Sequence, residues 1–193
     1  MDFLGTDLPL TDGISWRGME RLCKEAKNKK NILEIGTRFA RTTINLAYHC
    51  PADGRVISID VNHKDAHATL ASIPEEIRKK ILLIEMDSKL VDFKSIGPFD
   101  MAFIDGDHSF EGARIDTENV LNNLAKGGIL FWHDFTCLDV LAAVTTFPVE
   151  KTQLDDYMGC TWGTPSKSNV TNLQQLTRVA NAINQYLTSI NWR

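Results

Sequence analysis

Most of the reactive side chains in this sequence stand in two short stretches, DMAFIDGDHSFE at 100–111 and GGILFWHDF at 127–135. Each contains an apolar run suited to a buried strand, so Asp105, Asp107, His108, His133 and Asp134 follow the strands' carboxyl ends. Open α/β sheets bind ligands just outside those ends. Three carboxylates and two imidazoles converging on one sheet edge must share protons, pair with a cation or bind a metal, and such environments perturb pKa values as functional sites do. The plainer alternative is that Asp107 and His108 cap a helix beginning near Ser109, while His133 and Asp134 turn the chain.

A second set of polar residues follows the earlier apolar runs. NILEI at 31–35 leads into GTRFARTT at 36–43. Gly36 permits an unusual backbone angle and close approach of a ligand, and the amides and hydroxyls of Thr42 and Thr43 open a helix whose positive end favours a carboxylate or phosphate. Asp60 ends RVISID, 24 residues after Gly36. That is close to the roughly 20-residue spacing of a carboxylate that grips ribose hydroxyls. Asp87 follows ILLIEM and could accept a hydrogen bond from an adenine amino group. Either aspartate alone could be a surface turn; at the ends of successive strands they favour an adenosine-shaped ligand.

The elements that must position these groups are legible in the hydrophobic periodicity. Five short apolar runs, 31–35, 55–59, 81–86, 100–104 and 128–132, read as buried strands, and helical spacing recurs at 42–49, 64–80 and 112–125. This predicts an α/β fold, a doubly wound and mostly parallel Rossmann-like sheet with every strand's carboxyl end on one edge. Segments 149–153 and 158–164 are expected to add an antiparallel edge. Ser15 is expected to cap a helix over about 15–27 that places Met19, Leu22, Cys23 and Ala26 inward. Leu173, Leu176, Val179, Ile183, Leu187 and Ile190 predict a C-terminal helix over about 170–190, which could pack on the sheet or form a homodimer.

The chain has 193 residues, 43% of them hydrophobic, which suits one domain spanning 1–193 with a single substantial core. A formal charge of −4, with Lys and Arg scattered, disfavours nucleic acid as a partner. No run of about 18 apolar residues suggests a membrane span, and the N-terminus lacks the pattern of a signal peptide. Four widely spaced cysteines with no C-x-x-C pair read as reduced thiols in a cytoplasmic protein.

With those residues in view, the stretch 31–135 resembles the class I S-adenosylmethionine-dependent methyltransferases. It is similar in particular to a small O-methyltransferase-like group whose strand ends read like FIDGDHSYEG and WHD, here FIDGDHSFEG at 103–112 and Trp132, His133, Asp134. The resemblance implies S-adenosylmethionine as cofactor, held by Gly36, Thr37, Arg38, Thr42, Asp60, Asp87 and Asp105, with Glu34 reaching the amino group through water. It also implies a divalent metal, magnesium or manganese, on Asp105, His133 and Asp134. His133 departs from the group's acidic pattern, and imidazole suits manganese, iron or zinc better than magnesium. The group's second glycine is Ala40 here, whose methyl could tighten the loop.

The implied reaction is methylation of a small acceptor's hydroxyl, on a sugar or a phenol. Asp107 is the first choice for the base and His108 the second, because its ordinary pKa is near neutrality. The acceptor would be covered by the first dozen residues, 64–74 and 155–168, with Trp132, Tyr157 and Trp162 available for stacking, although core packing is the plainer role for Trp132. Three alternatives remain open at this level. A dinucleotide oxidoreductase would need more glycines than Gly36 supplies. A metal-dependent hydroxylase or hydrolase could use Asp105, His133 and Asp134, and a protein that binds without catalysis could keep the same fold.

Overall fold

The computed structural model describes residues 14–154 and 158–162. The helix expected over 170–190, Tyr157, the first dozen residues and most of 155–168 lie outside the described residues, as does the Trp162 side chain.

Seven strands form one sheet: β1 (Asn31–Ile35), β2 (Arg55–Asp60), β3 (Ile81–Glu85), β4 (Phe99–Ile104), β5 (Leu124–Trp132), β6 (Thr152–Gln153) and β7 (Gly159–Trp162). Their order is β3-β2-β1-β4-β5-β7-β6. The first five are parallel, and β7 reverses direction between β5 and β6. The fold is therefore the expected Rossmann-like sheet with an antiparallel edge. The chain steps outward from β1 to β3, then returns to place β4 on the other side of β1, so a crevice opens where β1 and β4 end.

Helices α1 (Trp16–Ala26), α2 (Arg41–His49), α3 (Lys64–Leu70) and α4 (Glu75–Arg78) precede α5 (Phe93–Ile96), α6 (Phe110–Asn123) and α7 (Leu138–Thr145). Leu22, Ala26, Leu46, Ala47 and Ile77 pack on Ile32, Val56, Met101, Phe103, Ile129 and Phe131, which puts α1, α2 and α4 on one face. Phe93, Ala113, Val120, Leu121, Val140 and Val144 pack on Leu33, Ile35, Ile57, Ile59, Ile104 and Leu130, which puts α5, α6 and α7 on the other. Both faces are covered, and that is why the central strands are apolar at nearly every position.

The local signals explain the boundaries. Ser15 Oγ accepts the Gly18 N–H at 2.9 Å, and α1 buries Met19, Leu22, Cys23 and Ala26 as its spacing predicts. The helix expected over 64–80 is two, because Pro74 lacks an amide and restricts Ile73; α4 restarts immediately after it. Helix α7 is an addition, carried by the small apolar run from Val140 to Val144 that has little amphipathic contrast. Trp132 is 1% exposed, and its Nε1–H donates to Thr117 Oγ1 at 2.9 Å, so it locks α6 to β5 and is not a stacking platform. No helix among the described residues is long and apolar enough to cross a membrane.

Thr117→Val, nearly isosteric, leaves the buried indole N–H without its partner. It is expected to cost about 1–3 kcal/mol in urea unfolding, and an unchanged midpoint would show that the Trp132 bond contributes nothing.

Candidate active site

A cavity of about 840 Å³ opens at the carboxyl ends of the parallel strands. It falls within the roughly 300–1,000 Å³ usual for small-molecule sites. Its apolar walls include Ile14, Met19, Ile35, Phe39, Ile59, Val61 and Met86. The start of α1 is therefore part of the site and not only a peripheral element.

The first wall is the loop after β1. Gly36 has φ of +95°, and a Cβ there would lie 2.0 Å from the Asp105 carbonyl oxygen, so both the angle and the contact demand glycine. Thr37 and Arg38 donate their backbone N–H groups to Asp60 Oδ2 at 2.8 and 3.0 Å, and Asn62 N–H donates to Oδ1 at 3.2 Å. Asp60 thus shapes the loop as well as lining the cavity, a task its position in the sequence does not reveal. Arg38 and Ala40 both adopt left-handed backbone, with φ of 45° and 58°, a conformation that costs an L side chain roughly 1 kcal/mol or more. Ala40 does not line the cavity. Its methyl is fully buried against Ile44, Ala66 and Leu70.

Glu34 is also placed differently from the expected ligand contact. It is 1% exposed, does not line the cavity, and accepts hydrogen bonds from the Ser58 hydroxyl at 2.5 Å and from the Thr43 hydroxyl. Burial pushes its pKa up to about 8, although both hydroxyls pull it down. Thr42 lines the cavity at the start of α2. At the far end, Asp87 Oδ1 accepts the Lys89 N–H at 3.0 Å and caps a short helical turn over Ser88–Leu90. Asp87, Ser88 and Lys89 all face the cavity. Ser88 also donates to Asp116 Oδ1 at 2.6 Å, a carboxyl that burial raises to about pKa 6. Asp116 is missing from the sequence reading because it occupies an inward position of an otherwise apolar helix face.

Asp105, His108, His133 and Asp134 form the reactive cluster, each offering a ligand atom within 4.8 Å of the others. His133 Nδ1 lies 3.1 Å from Asp105 Oδ1 and 2.8 Å from Asp134 Oδ2. His108 Nε2 lies 2.8 Å from Asp134 Oδ2 and 3.4 Å from Asp105 Oδ1. Burial pulls the His133 pKa down, but the Asp105 and Asp134 carboxylates outweigh it and lift it to about 9. His108 is raised by its bond to Asp105 despite partial burial. Asp105 is lowered: burial raises it, and the two imidazoles overcome that. Asp134 takes a left-handed φ of 48°, and its Oδ2 meets both His133 Nδ1 and His108 Nε2.

Asp107, the first choice for the base, is not brought into this cluster. Its Oδ1 accepts the Ser109 N–H at 2.9 Å, and its Oδ2 lies 3.4 Å from Lys89 Nζ. The Ser109 amide and hydroxyl, with Lys89, hold its pKa below the usual range, which makes it a weak proton acceptor. A Cβ on Gly112 would come within 2.3 Å of Asp107 Cγ, so the glycine that closes FIDGDHSFEG makes room for this side chain. Of the two base candidates, His108 alone joins the cluster.

Asp105, His133 and Asp134 fit one divalent cation through two carboxylate oxygens and one imidazole nitrogen, with His108 Nε2 beside them. That donor set suits manganese, iron or zinc better than magnesium. A cation would replace the ring protons that the carboxylates now favour.

A family model described as a methyltransferase domain matches residues 33–135, just over half of the chain. Caffeoyl-CoA O-methyltransferase from Zinnia elegans is 30% identical over 132 residues, covering 64% of this chain and 53% of that protein. The enzyme of the same name from Mesembryanthemum crystallinum is 27% identical, covering 64% and 51%. The chain therefore spans about half the length of these curated relatives. Among solved structures, an O-methyltransferase from Bacillus cereus in complex with S-adenosylhomocysteine superposes with a TM-score of 0.65 at 21% identity, covering 83% of this chain and 86% of that one, a likeness of fold.

Gly36→Ala is expected to lower stability by about 3 kcal/mol or more, since backbone must move on both sides of the contact; a thermal melt matching wild type would contradict the geometry. Glu34 adds a pH dependence. The native carboxyl keeps its proton up to about pH 8, whereas the unfolded one loses it near about 4.3. Between those values the native state binds the extra proton, so this group makes stability fall as pH rises. Glu34→Gln keeps an acceptor for both hydroxyls and removes the titration. Its unfolding free energy should decline less than wild type's between pH 5 and 8, and equal declines would show that Glu34 titrates alike in both states.

Proposed function

The chain belongs to this methyltransferase-domain family, and from that premise we propose that it transfers a methyl group from S-adenosylmethionine to a hydroxyl oxygen of a small acceptor, with a divalent cation at Asp105, His133 and Asp134. The observation that carries the reading is the convergence, in one cavity, of the Gly36 loop, Asp60, Asp87 and the Asp105 cluster. Across the sheet edge these groups run Asp87, Asp60, Gly36, Asp105 and Asp134, which supports a nucleoside lying over β3 and β2, its amino-acid tail over β1 and its reacting partner over β4 and β5.

Gly36, Thr37 and Arg38 border the place for the amino-acid end, with the opening of α2 at Thr42 offering a positive helix terminus. Asp60 uses part of its acceptor capacity on three amides, and a carboxylate has about four lone-pair sites, which leaves room for a ribose hydroxyl. Asp87 and Ser88 bound the place for the base. Bound there, the cofactor supplies a sulfonium methyl, and the cation lowers the pKa of an acceptor hydroxyl. His108, about half exposed at the mouth of the cluster, takes the hydroxyl's proton at Nε2. The apolar walls keep competing water away, and the cluster fixes the acceptor oxygen in line with the donor.

The acceptor class is a phenolic or sugar hydroxyl, for which the curated relatives named above suggest phenolic thioesters as the first compounds to try. With His108 as a fourth ligand instead of the base, the cluster also supports a second reading, a metal-dependent hydroxylase. Redox-active iron in the purified protein, together with no affinity for S-adenosylmethionine, would support that one.

Calorimetric titration with S-adenosylmethionine and S-adenosylhomocysteine, against NAD as control and with or without manganese, is expected to show binding of the first two alone. No binding of either under any metal condition would remove the methyl-transfer reading. Once an acceptor is found, His108→Ala is expected to lower turnover by about 10²–10⁴-fold, and Asp107→Asn by less than about 10-fold. Wild-type turnover in His108→Ala would leave the reaction without its assigned base.

A further inference from the structure

Behind the Gly36 loop, four side chains that are at most 4% exposed join in one hydrogen-bonded chain. His63 Nε2 lies 3.1 Å from Thr37 Oγ1, which lies 2.7 Å from Ser58 Oγ. Ser58 donates in turn to Glu34 Oε2 at 2.5 Å, an oxygen that also accepts from the Thr43 hydroxyl. A hydroxyl has one proton to give. Because Glu34 Oε2 accepts from both Ser58 and Thr43, the carboxyl proton belongs on Oε1; with Ser58 donating to Glu34, Thr37 donates to Ser58 and its oxygen accepts an N–H from His63 Nε2. Burial lowers the His63 pKa, against the pull of Asp60 and Glu85, which keeps a neutral ring carrying that one proton.

Of these four groups, only Thr37 also lines the cavity. It is held from both sides. Its backbone N–H is fixed in front by Asp60, and its hydroxyl is fixed behind by Ser58 and His63. His63 is itself anchored, because its backbone N–H donates to Glu85 Oε2 at 3.1 Å on β3. The helix that begins after it, α3, packs Ala66 and Leu70 on Ala40 and Ile44 at the other end of the same loop. The segment joining β2 to α3 therefore braces the loop at both of its ends. A buried imidazole is costly where an apolar side chain would fill the space, and its ring nitrogen is aimed at the one loop residue that faces both network and cavity.

We propose that His63 is a positioning residue for cofactor binding, which acts through the Thr37 hydroxyl to hold the 36–38 backbone in its binding shape. This rests on the cofactor reading above. Nothing in it requires His63 to touch the ligand, and His63 does not line the cavity.

The test is calorimetric titration of S-adenosylhomocysteine into the full chain and its variants. His63→Leu is expected to weaken binding about tenfold, the scale of one buried hydrogen bond. His63→Gln, which offers an amide N–H at similar reach, should recover affinity to within about threefold of wild type. In a Thr37→Val background, His63→Leu should add no further loss, because the hydroxyl through which it acts is gone. Wild-type affinity in His63→Leu, failure of His63→Gln to recover it, or an undiminished penalty in the Thr37→Val background would each overturn the assignment. Should His63→Leu show no cooperative melt, Thr37→Ser against Thr37→Val decides: equal affinity overturns the proposal, and a roughly tenfold gap supports it. Absence of binding by the wild type is a separate result, which removes the cofactor reading and this proposal with it.

Discussion

The site depends on one backbone contact, the approach of Gly36 to the Asp105 carbonyl, too close for any Cβ between them. It joins the end of β1 to the end of β4 where the strand order reverses. Two further bonds secure it, from Gly36 N–H to the Ile59 carbonyl and from Asp105 N–H to the Ile35 carbonyl, both 2.8 Å. The loop that would hold a cofactor and the residue that opens the acidic and histidine cluster are therefore parts of one rigid junction. Neither can shift alone. Transfer between two bound partners gains most when their sites are fixed to each other, and here that fixation is made by main chain, which side-chain motion does not loosen.

Around this junction the charged groups are handled in two ways. Asp105, Asp134, His108 and His133 offset one another at contact distance, and each imidazole is lifted by the carboxylates beside it. Among the described residues Glu34 and Asp116 have no such cationic partner in contact; burial raises both, and hydroxyl groups donate to them. The first arrangement faces the cavity and can exchange protons for a cation. The second lies behind it and holds shape. Residues of the same type thus take opposite roles according to whether a solvent path and an opposite charge are near.

The central strands β1, β2, β4 and β5 were legible in the sequence because they are buried on both faces, which leaves an apolar run of the right length. The division of the helix at Pro74 and the existence of α7 were harder: the first needs a choice between a kink and a break, and the second has too little polar contrast to show a face. The site divides similarly. Asp60, Asp87, Asp105, His133 and Asp134 were legible because strand ends share an edge, and a strand's last residue can be found by counting. Glu34, Asp107 and Ala40 were identified, yet the direction of each side chain was not, since direction follows from packing and not from position along the chain. His63 and Ser58 left no signal stronger than a polar residue at an inward position.

The pairing of Asp107 with Gly112 has a consequence for how this stretch can change over generations. The two positions share a single volume, because the carboxyl of one occupies the space a side chain on the other would need. Shortening residue 107 alone does not free that space, because even its Cβ lies 2.6 Å from where a methyl on residue 112 would sit, so the two positions are coupled through main chain as well as side chain. An alanine at 112 with Asp107 in place requires the amino end of α6 to shift.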